Sequence, residues 1–220
     1  MFFWLLFILL TLPMCLFLPM KVFGKKHYNK KKKYIVVCNH QSILDPVILD
    51  FHLGKRIRFI AKKELWKNKE KSFLFDTVLG CIPVDRSKGL TISATKEVYL
   101  LLKNNESLGL FPEGTRNSEP NHDMQIKSGA CLFAIKSKTP ILPCYITSKP
   151  KLFSKNNLLI GKPFELSEFY DKKLDKDTLV EAQELLLQKM NELKDNYNQY
   201  IMEKNMIKKL KKSSKNNLAK

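Results

Sequence analysis

Apolar positions in this chain fall into short continuous runs, separated by stretches in which they recur every three or four residues. Tyr34-Ile35-Val36-Val37-Cys38, Leu108-Gly109-Leu110-Phe111, Pro140-Ile141-Leu142-Pro143-Cys144-Tyr145-Ile146 and Leu158-Leu159-Ile160-Gly161-Lys162-Pro163-Phe164 have the length and composition of buried strands. Arg56-Ile57-Arg58-Phe59-Ile60-Ala61 alternates basic and apolar residues, which predicts another strand. Asp45-Pro46 reads as an N-cap followed by proline at the first helical position, with Val47, Ile48, Leu49 and Leu53 continuing the helix. Residues 91 to 103 place Ala94, Val98, Leu101 and Leu102 on one stripe, and Lys127 to Lys136 reads as a further helix. From about Asp175, Leu179, Ala182, Leu186, Met190, Leu193 and Tyr197 follow helical spacing. Strands alternating with helices predict an α/β fold: a single domain with a mixed, mostly parallel sheet flanked by helices.

The first twenty residues carry no charged side chain, and residues 1–23 are expected to form an N-terminal membrane-embedded helical segment ahead of that domain. As one helix those twenty would reach about 30 Å, enough to span the hydrocarbon core, but Pro13 and Pro19 interrupt it. The segment reads as retained, because no basic residue precedes it and the first alanine is Ala61, so no Ala-x-Ala cleavage site exists. Seven lysines between Lys21 and Lys33, with no acidic residue, place the following domain on the cytoplasmic side of the membrane. The same lysines suit anionic phospholipid headgroups. The domain is expected over 24–202, followed by a basic tail over 203–220. That tail reads either as disordered or as an interfacial extension using Met202, Met206, Ile207 and Leu210.

The 220 residues suffice for one sizeable core, and a formal charge of +18 points to an anionic partner. Basic and aromatic residues interleave too sparsely for a nucleic-acid module, so no nucleic acid is expected. The five cysteines are odd in number, lack a Cys-x-x-Cys pair and mostly sit in apolar runs, as reduced core residues do. No metal is expected, since no ligand spacing such as His-Glu-x-x-His occurs.

The candidate chemistry begins with Asn39-His40-Gln41-Ser42-Ile43-Leu44-Asp45-Pro46. On a continuous helix, side chains five residues apart stand roughly 140° from one another, so contact between His40 and Asp45 requires a strand end and a tight bend. A carboxylate on one imidazole nitrogen leaves the other free to accept a proton, as a general base does. Cys38, two residues away, closes an apolar run and reads as a core thiol rather than a nucleophile. His122 beside Asp123 lacks both the spacing and the preceding strand. In Gly80-Cys81-Ile82-Pro83-Val84-Asp85-Arg86 the glycine permits close backbone approach, the proline stiffens an edge, and Arg86 leaves a strand end with a cation suited to phosphate.

The order His40/Asp45 block, Gly80-to-Arg86 block, Phe111-Pro112-Glu113-Gly114-Thr115-Arg116, then Pro140-Ile141-Leu142-Pro143 resembles the glycerophospholipid acyltransferase family, in particular its lysophosphatidic acid acyltransferases. The resemblance spans roughly residues 34 to 165. It implies acyl transfer from an acyl thioester, acyl-coenzyme A or acyl carrier protein, to the free hydroxyl of a 1-acyl-glycerol-3-phosphate. No cofactor beyond that co-substrate is implied. His40 would be the base and Asp45 its orienting partner. Arg86, Glu113, Gly114, Thr115 and Arg116 would hold the phosphate, with Glu113 orienting Arg116 or contacting a substrate hydroxyl. Lys62 of the Lys-Glu-Leu block would lie near the site. Residues 72 to 79 lack the proline and glycine usual in relatives, and Asn117 stands where many have serine. Two rival readings are an acyltransferase on glycerol-3-phosphate or another lysophospholipid, and a non-catalytic, membrane-anchored basic binding protein.

Overall fold

The computed structural model describes residues 17–67, 76, 80–85, 91–116 and 124–218, with side chains beyond position 208 described only at Leu210. The strands are β1 (Met20–Phe23), β2 (Ile35–Cys38), β3 (Ile57–Lys62), β4 (Ile82–Val84), β5 (Ser107–Leu110), β6 (Ile141–Ile146) and β7 (Asn156–Ile160). They form one sheet in the order β1-β7-β6-β2-β5-β3-β4. Every pairing is parallel except β6 with β7. Helices α1 (Asp45–Leu53), α2 (Ile92–Lys103), α3 (Gly129–Ser137) and α4 (Lys176–Leu218) accompany the sheet.

Strand β2 lies at the centre, and all four of its residues are buried. Alternate side chains of a strand point to opposite faces. Ile35 and Val37 accordingly join one core with Leu108, α2, α3 and α4, while Val36 and Cys38 join a second with Ile48, Leu49, Leu142 and Cys144. Layers on both faces explain why the central strands read as unbroken apolar runs. In α2 the buried residues are Ala94, Val98, Leu101 and Leu102, the stripe expected from spacing, and the Thr91 hydroxyl caps the helix by accepting from the Ala94 N–H.

Several expected boundaries are corrected. Residues 1–16 of the expected membrane segment lie outside the described residues, but Met20–Phe23 is an edge strand of the domain, not part of a membrane helix. Its alternation explains this: Met20 and Val22 pack into the second core while Lys21 faces water. Among the described residues, no helix is long and apolar enough to cross a membrane. Strand β7 begins at Asn156 and ends at Ile160, and Phe164 meets Ile141 only through an isolated antiparallel bridge. Helix α3 begins at Gly129, two residues later than expected, and the Lys127 N–H before it donates to the Pro112 carbonyl at 2.9 Å. Helix α4 buries Ala182, Leu186 and Met190 and continues to Leu218, with Met202, Met206, Ile207 and Leu210 exposed.

Candidate active site

Among the described residues, His40, Asp45, Glu113, Lys62 and Arg116 gather near the C-terminal end of β2. Beyond Cys38 the chain leaves the sheet at Asn39, whose buried amide donates to the Ile146 carbonyl at 2.9 Å and accepts from the Ile146 N–H at 2.8 Å. That side chain supplies the bonds the departing backbone no longer makes to β6, which fastens the start of the turn. His40 follows, and its Nδ1 lies 2.9 Å from Asp45 Oδ2. Asp45 is fully buried, and the same oxygen accepts the N–H groups of Gln41 and Ser42, each at 2.7 Å. The carboxylate is thus tied to the turn before it. Asp45 is the first residue of α1 rather than its N-cap, a position held by Leu44. With Nδ1 committed to Asp45, Nε2 is the ring nitrogen available for proton exchange.

The loop after β5 closes on this turn. Phe111 stacks on the imidazole of His40, ring centroids 3.9 Å apart and planes 15° apart. Glu113 Oε1 accepts the His40 backbone N–H at 3.0 Å, so this carboxylate braces the histidine turn, a contact that local sequence did not reveal. Gly114 has φ of 70°, and a Cβ there would lie 2.7 Å from Lys127 Nζ, which places a cation missed by sequence reasoning against the loop. Thr115 and Arg116 are exposed.

A cavity of about 160 Å³ opens beside the histidine, lined in part by His40, Phe59, Lys62, Cys81, Phe111 and Arg116. Lys62 ends β3, lies 3.4 Å from Glu64 Oε1, is half exposed, and forms part of the cavity wall. Lys63 lines a different depression with Trp66 and Asp85. Arg86 and His122 lie outside the described residues. Gly80 has φ of 57°, a left-handed conformation that favours glycine, and a Cβ there would lie 2.6 Å from the movable end of the Arg56 side chain. A larger cavity of about 620 Å³, toward the opposite end of β7 against α4, contains none of the candidate residues.

The thiols nearby are poorly suited to act as nucleophiles. Burial, ahead of any neighbouring charge, holds the Cys38 thiol well above the usual thiol range and pushes Cys81 up to about 12. Both therefore stay protonated near neutral pH, and thiolate chemistry is disfavoured. Among the described residues, no group of three or more His, Cys, Asp or Glu side chains could hold a metal ion.

A family model described as Acyltransferase matches residues 19–147. The chain is 33% identical over 186 residues to 1-acyl-sn-glycerol-3-phosphate acyltransferase of Bacillus subtilis, an alignment covering 81% of this chain and 90% of that protein. It is 34% identical to 1-acyl-sn-glycerol-3-phosphate acyltransferase alpha of Mus musculus, over 65% of this chain and 50% of that one. The crystal structure of the 1-acyl-sn-glycerophosphate (LPA) acyltransferase PlsC from Thermotoga maritima superposes with a TM-score of 0.57 at 28% identity, covering 80% of this chain and 72% of that one. Because the family match spans more than half of its residues and the Bacillus subtilis relative aligns over most of both lengths, the chain belongs to the acyltransferase family.

Proposed function

We propose that this protein is a membrane-bound acyltransferase that moves a fatty acyl group from acyl-coenzyme A or acyl carrier protein to the free hydroxyl of a 1-acyl-glycerol-3-phosphate, forming phosphatidic acid. The observation that carries this reading is the 2.9 Å contact between His40 and the fully buried Asp45, next to a cavity that Lys62 and Arg116 also line. The names of the relatives support the choice of acceptor. His40 Nε2 takes the hydroxyl proton as the oxygen attacks the thioester carbonyl. The carbon–sulfur bond then breaks, and the leaving thiolate takes a proton from the imidazolium. Asp45 holds the tautomer and stabilises the imidazolium. General-base assistance of this kind contributes roughly 10² to 10⁴ in rate. Lys62 and Arg116, with Arg86, clamp the phosphate through charge-assisted hydrogen bonds, and Glu113, Gly114 and Thr115 shape the loop around it. The domain works on the cytoplasmic face, held there by the apolar N-terminal residues.

The test is acyl transfer by the detergent-solubilised full chain, wild type against His40→Ala, with labelled acyl-coenzyme A or acyl carrier protein. Lysophosphatidic acid, glycerol-3-phosphate and other lysophospholipids are offered side by side. Phosphatidic acid from wild type and a loss of about 10² or more in the folded variant support the reading. Product only from another acceptor moves the assignment to that acceptor. No product from any pair, with equal binding of both proteins to anionic vesicles, replaces the enzyme with a binding protein.

A further inference from the structure

The end of the sheet that bears His40 also bears an exposed apolar tip. Strand β6 runs parallel to β2 and ends beside Asn39; residues 147–155 then cross over, and β7 returns antiparallel. Because β1 runs parallel to β7, with Met20 opposite Asn156, Phe17 arrives at this same end. Phe17, Leu152 and Phe153 are 46%, 59% and 77% exposed, and the two phenyl rings meet edge to face at 5.4 Å. The strands that flank them, β7 and β1, lie two and three strand spacings from β2, about 10–15 Å.

The loop is fastened rather than loose. Asn156, itself buried, accepts the Lys151 N–H at 2.9 Å and donates to the carbonyls of Lys151 and Ser154 at 3.0 and 2.9 Å. The Phe153 N–H donates to the Phe17 carbonyl at 2.7 Å. Phe153 has φ of 56°, a left-handed conformation that bulky residues rarely adopt, and it turns the ring outward at a cost in backbone strain. Lys149, Lys151 and Lys155 are exposed around it, and no acidic residue occurs from Thr147 to Ile160.

We propose that residues 147–155 together with Phe17 form an interfacial wedge that enters an anionic lipid bilayer and turns the His40 end of the sheet toward it. This deepens the reading of a lipid acceptor and rests on it for its purpose, though not for its test. Aromatic and leucine side chains lodge at the level of the headgroups while adjacent lysines pair with anionic lipid. Charge complementarity selects the occupant: a second copy of a chain of formal charge +18 would be repelled by these lysines, whereas an anionic surface is attracted. Residues 1–16 carry no charged side chain, so the sequence that leads into Phe17 suits the same apolar surroundings.

The experiment uses the full chain with Trp4→Phe and Trp66→Phe, and adds Phe153→Trp as reporter or Tyr200→Trp as control. Tyr200 packs near Phe23 at the other end of β1, so it should stay clear of the lipid. With phosphatidylglycerol and phosphatidylcholine vesicles carrying brominated acyl chains, emission at position 153 shifts to the blue and is quenched, while emission at 200 is not. No quenching at 153, equal quenching at both positions, or a blue-shifted 153 before vesicles are added would each overturn the wedge, the last by showing another occupant. In parallel, Leu152→Ser/Phe153→Ser lowers acyl transfer to vesicle-embedded lysophosphatidic acid about tenfold and leaves transfer to a short-chain, monomeric acceptor unchanged. Equal loss on both acceptors, or loss on neither, also overturns it. Quenching at 153 by a wild-type-like protein that makes no phosphatidic acid would sink the acyl-transfer reading and leave the membrane contact standing.

Discussion

Phe111 lies flat against His40, with ring centroids 3.9 Å apart and planes 15° apart. Asp45 fixes one nitrogen of the imidazole, and the phenyl face fixes the plane in which the ring lies. An aromatic face also favours a cation over it, so the imidazolium formed on proton transfer is stabilised from the ring side as well as by the carboxylate. Phe111→Leu keeps apolar volume and removes the flat face. Steady-state kinetics should show kcat falling about tenfold, roughly 1.4 kcal/mol, with KM little changed, and Phe111→Tyr should recover most of the rate. An undiminished kcat in the leucine variant would take the stack out of the mechanism.

The stack continues inward. Phe59 lies 5.3 Å from Phe111 with planes 14° apart, and a Cβ at Gly109 would fall 2.3 Å from the Phe59 ring. Gly109→Ala must therefore displace the Phe59 ring, which neighbours Phe111 and through it His40. Overpacking of this kind costs about 1–3 kcal/mol. Thermal unfolding should move down by several degrees, and acyl transfer should fall although position 109 is remote from substrate. Adding Phe59→Leu to Gly109→Ala should return most of the lost stability. A double variant no more stable than the single one would mean the clash is relieved elsewhere.

Asn39 makes a different kind of contribution, because it satisfies both backbone groups of Ile146 from one side chain. Asn39→Leu, of similar size, leaves a buried donor and a buried acceptor unpaired. That should cost about 2–4 kcal/mol in chemical denaturation. Asn39→Asp keeps the acceptor, loses the donor and brings a charge against a carbonyl, so it should be no milder. A loss below about 0.5 kcal/mol for the leucine variant would show that the turn relaxes to pair these groups another way.

What could be read from the chain before any coordinates depended on how local the cause was. The stripe Ala94, Val98, Leu101 and Leu102 repeats within a single helix, and its burial follows from spacing alone. The approach of His40 to Asp45 was readable because one bend, five residues long, brings them together. Met20–Phe23 was not, because its apolar composition merges with the run before it, and a four-residue edge strand offers only Met20 and Val22 as an inward pair. Glu113 reaches the His40 backbone across a separation of 73 residues, set by the parallel pairing of β2 with β5. Phe111 meets His40 for the same reason, and no periodicity encodes it. Asn156 looks like a loop residue by type, yet it is buried because it fastens the loop before β7.

Cys38 tests the choice of nucleophile. Its side chain is fully buried, with Sγ 3.5 Å from Asn39 Oδ1, and burial holds the thiol well above its ordinary range. Cys38→Ala should retain most of the acyl-transfer rate while lowering stability by about 1–2 kcal/mol for the small void it leaves. Alkylating reagents should reach this thiol only on unfolding. Loss of all activity in a folded Cys38→Ala protein would reinstate a thiol mechanism.

Asp50 provides a pH dependence whose sign is fixed by its surroundings. The residue is buried near the end of α1, and its Oδ1 accepts the Ile57 N–H at 3.0 Å. Burial raises its carboxyl well above the usual carboxylate range, against the smaller opposing effects of that hydrogen bond and of Arg56. The folded state therefore binds this proton more tightly than the unfolded state, so stability falls as pH rises. The fall begins near the unfolded value, about 4, and is complete once pH has passed the raised folded value. Asp50→Asn keeps an oxygen for the Ile57 N–H and removes the ionisation. Its stability should match wild type below about pH 4 and exceed it above the raised value, by about 1.4 kcal/mol for every pH unit separating the folded carboxyl from the unfolded one. Parallel denaturant titrations from acid to neutral pH measure the difference, and curves that stay a constant distance apart would show that Asp50 does not set this slope.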